Sequence, residues 1–432
     1  MLDDSLLLII SASIAGLWLL GMVQGTLALW SGVRFYRYMR RWGREPLVSN
    51  ARPPAVVILP CCGVDERLEE TIRALGAQDY EDYEVIFTFE SADDPAHAAV
   101  GDWAAAWSRP RWRRVVAGSA EGRSQKVHNL LAAVEQINPS REIVAFLDSD
   151  ALPGADWLRR LTAPLSDPAI GAATGFRWYR AAGGLVSGLR SAWNAASISY
   201  LHDPRIAFCW GGSSAMRLET FRACRVPDYW KGAVSDDLQL TRALRDAGLA
   251  IHFVPQCLVS CEERMNWSQF VQFARRQLII TRIGAPYVWR SGFALAANYV
   301  FGTTATFGLA VYMVITGQYA AAVASAVAWQ LLLLMARAQA ILRQAGVMQA
   351  LRPPEWTWRD WAYDVLAMEH LGVIHLGLLI STIGARRIEW RGITYELRGL
   401  NETRILSRRR PASPPPAAVE TPAEPCGASN AA

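Results

Sequence analysis

Two aspartates, Asp148 and Asp150, directly follow an apolar run from Ile143 to Leu147. Such a run, followed by Ala-Leu-Pro-Gly after the second aspartate, is typical of a buried strand that ends in a loop. Carboxylates at the carboxyl end of a strand suit a hard divalent cation that keeps free positions for a diphosphate. Asp-x-Asp pairs are also common in solvated loops, but the preceding all-apolar strand favours a metal site. Asp148 and Asp150 are therefore the predicted ligands of Mg²⁺ or Mn²⁺.

A second acidic pair, Asp236 and Asp237, precedes a helical pattern from Leu238 to Ala247. An aspartate at this place can cap the helix and interact with its dipole. It can also take the proton from an attacking hydroxyl, provided that its surroundings raise its pKa. Asp237 is the predicted general base, and Asp236 is the neighbour that would tune it or cap the helix.

Three further signals concern a nucleotide diphosphate. Asp93 and Asp94 follow a predicted strand, where a carboxylate can bind a base or a ribose, although Asp-Asp-Pro is also an ordinary turn or helix cap. Lys126 lies in a Gly- and Ser-containing loop from which an ammonium group can reach a diphosphate. Arg275 and Arg276 lie in an amphipathic stretch, where they could neutralise a departing diphosphate or anchor the chain at a membrane.

The elements that must position these residues alternate between strand and helix. Strands are predicted at residues 55–59, 84–89, 114–117 and 143–147, and helices at 68–75, 96–107 and 126–135. This alternation predicts an open, mostly parallel α/β sheet, in which ligands bind at the carboxyl ends of the strands.

Uncharged blocks flank this α/β region. No charged residue occurs from Ser5 to Val33 or from Gly292 to Ala336, which is long enough for one and two spanning helices respectively. The Met-Leu-Asp-Asp start and the length of the first block disfavour a cleaved signal peptide. A third apolar segment, Val365 to Ala385, contains a glutamate and two histidines. It could be a span, a re-entrant piece or an interfacial helix.

The arginines predict the orientation in the membrane. Five of them lie between residues 34 and 44, which places the amino terminus outside and the following domain in the cytoplasm. Four spans would put the tail outside, against the arginines between residues 386 and 410. We therefore expect three spans and a re-entrant or surface segment at Val365 to Ala385. The Ala- and Arg-rich composition suggests a bacterial source, and hence an integral protein of the inner membrane.

Composition restricts the partners. The hydrophobic content of 52% is concentrated in the membrane blocks, and the net charge of +5 comes from arginines beside them. Anionic lipid headgroups account for this charge better than nucleic acid does, so no nucleic-acid partner is expected. The seven cysteines show neither metal-site pairing with histidine nor a regular disulfide framework.

The predicted organisation has six parts. They are an amino-terminal anchor (1–33), a cytoplasmic catalytic domain (34–265), an amphipathic interfacial segment (266–290), a carboxyl-terminal membrane region (291–385), a polar juxtamembrane segment (386–406) and a disordered tail (407–432).

In their order and spacing these motifs resemble the ceramide glucosyltransferase family, family 21, within the family 2 GT-A superfamily. The family pattern is an aspartate after the second strand, an Asp-x-Asp element, a third aspartate that opens a helix, and a Gln/Arg-x-x-Arg-Trp motif. The matching residues are Asp93 or Asp94, Asp148 with Asp150, Asp237, and Gln272 to Gln277. The runs Gly63-Val64-Asp65 and Glu389 to Arg398 also resemble the family. The tryptophan of the last motif is absent, which leaves open whether Arg275 or Arg276 has the motif role.

The resemblance implies a GT-A fold, a UDP-sugar donor, a Mg²⁺ or Mn²⁺ ion and inversion at the anomeric carbon. Asp93 or Asp94 would then fix the uridine, and Asp148, Lys126 and one of the two arginines would bind the donor diphosphate. The expected enzyme moves a hexose, with glucose favoured, to the hydroxyl of a ceramide-like lipid in the bilayer.

Three other functions remain open. A polyprenyl phosphate or a hopanoid makes the same demand for membrane proximity as ceramide. A polysaccharide synthase would need more spans for a polymer channel. A membrane scaffold with a degenerate nucleotide-binding domain is the non-enzyme alternative, although all the carboxylates of a working site are present.

Overall fold

A computed structural model describes residues 4–44, 51–181, 184–351 and 356–409. Within these residues, seven strands form one mixed sheet in the order β3-β2-β1-β4-β6-β5-β7. They are β1 (Ala55–Pro60), β2 (Tyr83–Phe89), β3 (Arg111–Val116), β4 (Ile143–Leu147), β5 (Ile170–Tyr179), β6 (Ser213–Arg217) and β7 (Ala250–Cys261). The first four strands are parallel, β6 is antiparallel to both of its neighbours, and β7 is parallel to β5.

Helices surround the sheet and continue beyond it. They are α1 (Asp4–Trp42), α2 (Leu68–Gly76), α3 (Pro95–Ala104), α4 (Gln125–Val134), α5 (Trp157–Thr162), α6 (Leu185–Ile198), α7 (Leu218–Ala223), α8 (Val226–Trp230), α9 (Asp236–Asp246), α10 (Trp267–Gly284), α11 (Pro286–Ile315), α12 (Tyr319–Val347), α13 (Trp358–Leu366) and α14 (Met368–Ser381). The predicted strands and helices up to residue 147 are all present, with bounds that differ by a few residues.

The central strands are buried on both faces. Successive residues of a strand point to opposite faces, so Val56 and Ile58 join one core while Val57 and Leu59 join the other. This is why β1 and β4 are continuous apolar runs without polar alternation. The two cores hold the carboxyl ends of β1, β2 and β4 side by side.

Helix α1 connects the sheet with the apolar helices. Its 39 residues correspond to roughly 58 Å, far more than the thickness of a bilayer core. Phe35 and Met39 are fully buried and belong to the core on one face of the sheet. The helix therefore continues nine residues past the predicted end of the anchor at residue 33, because its last turns pack against the catalytic domain.

Among the described residues, three helices are long and apolar enough to cross a membrane: α1, α11 and α12. Glycines on α1 allow close packing on α12, since a Cβ at Gly21 or Gly25 would lie about 3 Å from Leu332 or Met335. Helices α13 and α14 pass the same test only as a pair, with a bend of 69° between them. The apolar helices at both ends confirm that part of the predicted architecture.

Two predicted boundaries differ from the structure. The amphipathic segment was expected to run to residue 290, but α10 ends at Gly284 because Pro286 starts a new helix, α11. The polar segment after residue 386 forms a three-stranded antiparallel sheet among the described residues: β8 (Arg387–Trp390), β9 (Ile393–Gly399) and β10 (Glu402–Arg408). Strand β10 thus includes the first residues of the predicted disordered tail, and residues 410–432 lie outside the described residues.

Candidate active site

The two aspartates of the Asp-x-Asp motif lie at the carboxyl end of β4, as predicted. The backbone N–H of Asp148 donates to the carbonyl of Gly212 at 3.3 Å, and the Asp148 carbonyl accepts from Ala151. Between them, the Ser149 hydroxyl donates to Asp65, which follows β1. The motif is therefore held by the loops after two neighbouring strands.

Lys126 is also at this site, but it is engaged by carboxylates. Its Nζ lies 2.8 Å from Asp148 and 3.0 Å from Asp236, and its side chain is largely buried. Burial would lower the pKa of Lys126, but Asp148 and Asp236 raise it well above its usual value. Lys126 therefore stays charged and joins the Asp-x-Asp loop to the start of α9.

The loop before β6 approaches these groups so closely that it requires glycine. A Cβ at Gly211 would lie 2.4 Å from an Asp236 oxygen, and a Cβ at Gly212 would lie 2.7 Å from an Asp148 oxygen. This Gly-Gly pair was not identified from the sequence. The available signal was two adjacent glycines before a strand, because glycine often marks a place where the backbone closely approaches another group.

Asp236 and Asp237 open α9 behind the capping residue Ser235. Asp236 is buried against Lys126, and burial raises its pKa to about 6 although the lysine opposes the shift. Asp237 accepts hydrogen bonds from the Ser235 hydroxyl and from the N–H groups of Leu238 and Gly211. Asp236 is thus a buried partner of Lys126, and Asp237 lies beside the glycine loop.

Asp93 and Asp94 follow β2 and differ in their contacts. Asp94 caps α3 by accepting from Ala96 at 2.9 Å, and it also accepts from the Gly63 N–H at 3.0 Å. Asp93 is exposed and accepts from the Ser91 hydroxyl at 3.3 Å. Asp94 therefore caps α3, the role that was the alternative to nucleotide binding. It also holds the turn after β1 through Gly63.

Arg275 and Arg276 on α10 point to different parts of the molecule. Arg275 donates to the carbonyl of Ser381 at the end of α14, 2.6 Å away. The Arg276 guanidinium lies 5.4 Å from the ring centroid of Trp390, and burial lowers its pKa, with Asp150 and Arg177 among the charges that act on it. Arg276 is therefore the one of the pair on the side of the aspartates.

The sheet of β8, β9 and β10 contributes Arg391, for which the sequence had predicted no role. Arg391 forms two bonds with Asp65, at 2.6 and 2.8 Å. Arg391 and Gly392 both have positive φ, which suits the two-residue turn between β8 and β9. Trp390 at the end of β8, beside this turn, lies against Arg276.

Arg177 on β5 was not identified from the sequence. Its guanidinium donates to both oxygens of Asp150, at 2.5 and 2.7 Å, and to Asp148 at 3.4 Å. Burial alone would raise the pKa of Asp150, but Arg177 holds it well below its usual range. The arginine sits within a strand of apolar and aromatic residues, and a charged residue in such a strand was the available signal.

The donor chemistry of Asp148 and Asp150 fits the predicted cation. Mg²⁺ and similar ions are often held by one or two carboxylates while water and phosphate oxygens complete the coordination. Within the part of the chain that the structure describes, no group of three His, Cys, Asp or Glu side chains is placed to hold a metal ion. The pair therefore suits an ion that keeps coordination positions free for water or for a ligand.

Comparison with known families decides the relationship. The model of glycosyl transferase family 21 matches residues 14–402 and so includes every site residue discussed above. The chain belongs to glycosyl transferase family 21. The resemblance seen in the motif order is confirmed, and the protein is a glycosyltransferase.

Solved structures similar to this family 21 glycosyltransferase are distant in sequence. A mannosyltransferase from Pyrobaculum calidifontis, in complex with GDP-Man and Mn²⁺, has 19% identity and a TM-score of 0.47, with 85% of this chain and 99% of that chain covered. Glucosyl-3-phosphoglycerate synthase from Mycobacterium tuberculosis, with Mn²⁺ and UDP-glucose, has 18% identity and a TM-score of 0.37, with 53% and 78% covered. No curated protein matches the chain significantly.

The architecture of the family 21 glycosyltransferase matches the expected class. Its mixed α/β sheet carries the acidic motifs at the carboxyl ends of parallel strands, and apolar helices lie at both ends of the chain. The predicted GT-A fold class with terminal membrane helices is confirmed.

Proposed function

We propose that the protein is an inverting hexosyltransferase that transfers a hexose, with glucose favoured, from a UDP-sugar to the hydroxyl of a ceramide-like membrane lipid. Its catalytic domain would lie at the cytoplasmic face of a bacterial inner membrane. Family membership supports glycosyl transfer, and the arrangement of the site relative to the apolar helices supports a lipid acceptor.

The observation that carries the lipid acceptor is the position of α10. Arg276 on this helix is close enough to Asp150 and Arg177 for their charges to act on it, while its neighbour Arg275 bonds the end of α14. Trp193 of the catalytic domain also donates to His375 on α14 at 3.0 Å. The contacts of α10 with both the aspartate side and α14 support an acceptor that reaches the site from the membrane.

Asp237 is the proposed base for the acceptor hydroxyl. It is anchored by Ser235 and Leu238, so its orientation is fixed by the start of α9. Removing the proton as the hydroxyl attacks is the step that a general base accelerates. Asp236 supports this role by holding Lys126 against Asp148, which fixes the position of the base relative to the donor site.

The donor would be bound from the opposite side by charged groups. Asp148 and Asp150 would hold Mg²⁺ or Mn²⁺, an ion that supplies Lewis-acid stabilisation of a departing diphosphate. Arg276 would add positive charge against the same group. Lys126 would add its positive charge beside Asp148. Asp93, the exposed residue of the Asp93–Asp94 pair, is the proposed contact for the uridine.

The experiment is a transfer assay with the full chain in lipid nanodiscs. UDP-glucose, UDP-galactose and GDP-mannose are offered as donors, and ceramide, diacylglycerol, a polyprenyl phosphate and a hopanoid as acceptors. We expect hexosylceramide from UDP-glucose, detected by mass spectrometry, with the opposite anomeric configuration to the donor. Expression in a host that lacks glycolipids should give the same product in membrane extracts.

The other outcomes identify the alternatives. Transfer only to polyprenyl phosphate or hopanoid would replace the ceramide-like acceptor while leaving the chemistry intact. Neither transfer nor donor hydrolysis with any nucleotide sugar would favour a scaffold. The Asp237→Asn variant is the control, since a product that persists in it would come from a contaminating enzyme or from a different base.

A further inference from the structure

Arg177 occupies the position between the two aspartates of the Asp-x-Asp motif. Both oxygens of Asp150 accept hydrogen bonds from its guanidinium, at 2.5 and 2.7 Å, and one oxygen of Asp148 lies 3.4 Å away. The other oxygen of Asp148 is 2.8 Å from Lys126. Every carboxylate oxygen of the motif is therefore in contact with a protein cation.

The surroundings of Arg177 hold its guanidinium in place. It lies 5.2 Å from the ring centroid of Trp210 and 5.8 Å from that of Tyr179, and its side chain is 12% exposed. The Asn194 amide donates to the Arg177 carbonyl at 2.9 Å and so fixes the strand on that side. Aromatic faces and a bidentate carboxylate are the contacts that a planar guanidinium makes best.

This arrangement has a consequence for metal binding. A divalent cation can coordinate Asp150 only if at least one of its oxygens leaves Arg177. A free ion offers the displaced guanidinium no new partner, so the cost of breaking a charge-assisted pair opposes binding. An ion that arrives with a diphosphate does offer one, because phosphate oxygens are bidentate acceptors for arginine.

We propose that Arg177 excludes free divalent ions from Asp148 and Asp150, and that it exchanges Asp150 for the donor diphosphate when ion and nucleotide bind together. This inference rests on the proposed nucleotide-sugar function. It makes Arg177 a donor-binding residue and makes metal binding dependent on the nucleotide. The site would then load the ion and the nucleotide as one unit.

The test measures Mn²⁺ binding by the full chain in nanodiscs, from the electron paramagnetic resonance signal of free Mn²⁺. Without nucleotide, Arg177→Gln should bind Mn²⁺ about tenfold more tightly than the wild type, because the competing cation is gone. With UDP present, the same variant should bind the Mn²⁺–UDP pair more weakly than the wild type, because the lost diphosphate contact exceeds the cost of leaving Asp150, which the variant does not incur. A general loss of structure would not produce these opposite changes.

Two controls sharpen the comparison. Arg180→Gln removes a positive charge three residues further along, where Arg180 pairs with Glu262 at 2.7 Å, and it should leave both affinities unchanged. Adding Asp150→Asn to Arg177→Gln should remove the gain in Mn²⁺ affinity, which would assign that gain to the motif. If Arg177→Gln does not fold, Arg177→Lys should shift both affinities in the same directions, since lysine cannot bind a carboxylate through two parallel bonds.

Equal Mn²⁺ affinity of the wild type and the Arg177 variants in the absence of nucleotide would overturn the exclusion. A tenfold gain of the variant that persists with Mn²⁺–UDP would overturn the exchange onto the diphosphate, whereas equal affinities would mean that the two contacts of Arg177 offset each other. Failure of the proposed function gives a different pattern: neither protein would bind UDP at all, while the contrast in metal-only binding would remain.

Discussion

Adjacent residues of the same type have different roles at two places in this site. Asp236 is buried against Lys126 while Asp237 lies beside the Gly211 N–H, and Arg275 bonds α14 while Arg276 faces Trp390. Neighbouring residues on a helix point about 100° apart, so one member can hold the fold while the other faces the ligand. Arg275 can therefore serve as the control for Arg276.

Asp237→Asn should reduce the rate of transfer by about 10²–10⁴-fold, because a general base contributes an effect of this size. UDP binding should remain close to normal, since the amide keeps the hydrogen bond to Leu238. Product formation and UDP affinity, measured on the same preparation, separate the two effects. Asp246→Asn at the other end of α9 is the matched control and should not change the rate; a normal rate in Asp237→Asn would reassign the base.

Arg276→Gln should weaken UDP binding and slow transfer by about tenfold or more, because it removes a positive charge from beside the proposed position of the leaving group. Arg275→Gln should lower thermal stability in detergent while the purified protein keeps its affinity for UDP. Titration of UDP into both variants distinguishes them. The reverse result, with loss of UDP binding in Arg275→Gln alone, would give the motif role to Arg275.

At the scale of elements, the carboxyl-terminal sheet is the part that returns from the membrane helices to the site. Tyr395 on β9 accepts from the Gln125 N–H at 3.2 Å, and Asn401 accepts from Gln239 at 2.6 Å. Arg391 at the β8–β9 turn joins Asp65 after β1. These contacts attach the sheet to the start of α4, to α9 and to the loop after β1.

Arg391→Asn should detach the β8–β9 turn from Asp65 while the turn keeps its backbone conformation. Asparagine tolerates the positive φ of this position but cannot reach Asp65. The pair is partly exposed, so we expect a double-mutant coupling with Asp65→Asn of about 0.5–1 kcal/mol. Hydrogen exchange of the β8–β9 turn should become faster and UDP affinity should fall. Arg398→Gln, which loses only a pair with Glu396 on its own strand, should change neither quantity.

The junction between α1 and β7 should respond to acid. His252 packs edge-on against Trp42, with ring centroids 5.4 Å apart, and burial lowers its pKa from 6.5 to about 4 although Asp167 opposes the shift. The unfolded chain therefore binds more protons between these values, so stability should fall as the pH decreases from about 6.5 to 4.

His252→Phe should flatten this dependence, because phenylalanine keeps the ring packing and removes the titrating group. Thermal midpoints of the full chain in detergent, measured from pH 7 to 5, test it. Part of the slope should remain in the variant, since burial also lowers the pKa of His202 beside Phe35. A slope identical to that of the wild type would show that the junction does not control the acid response.

Features that depend on neighbouring residues in the chain could be predicted from the sequence, whereas contacts between distant residues could not. Local patterns sufficed for β4 and its aspartates, because an apolar run and the residues directly after it are contiguous. The partner of those aspartates was not predictable in this way: Arg177 lies 27 residues beyond Asp150 and is brought to it because β4 and β5 both pair with β6. Arg391 pairs with Asp65, which is 326 residues away in the chain, and reaches it only through the return from the membrane helices. The polar segment after residue 386 lacked apolar length, and its strands are stabilised by packing on α10.

At the scale of the whole molecule, contacts among the apolar helices define their directions. Along α1 from Trp18 to Phe35, the partners on α12 rise from Ala328 to Gly346, so these helices are parallel. Helix α11 runs the other way, since Gln24 contacts Leu295 whereas the earlier Leu17 contacts Gly302. The α11–α12 turn therefore lies beside the start of α1, away from the catalytic domain.

The pair α13 and α14 differs from these helices because both of its ends contact the catalytic side. Asp360 at the start of α13 accepts from the Ala181 N–H, and Ser381 at the end of α14 accepts from Arg275. Helix α14 has 14 residues, or about 21 Å, which is shorter than the roughly 30 Å of a bilayer core. We infer a re-entrant pair, which would return the chain to the side from which it entered.

Protease mapping in sealed inner-membrane vesicles tests this topology with two tagged forms of the full chain. A tag appended after Ala432 should be cleaved from the cytoplasmic side together with the catalytic domain, because the re-entrant pair adds no crossing. A tag inserted after Gly317, in the α11–α12 turn, should be protected from protease on the cytoplasmic side and cleaved only from the periplasmic side. Protection of the terminal tag would instead make α13 and α14 a fourth span. The arginines between residues 386 and 409 would then lie outside, against the positive-inside rule, so we expect cytoplasmic cleavage.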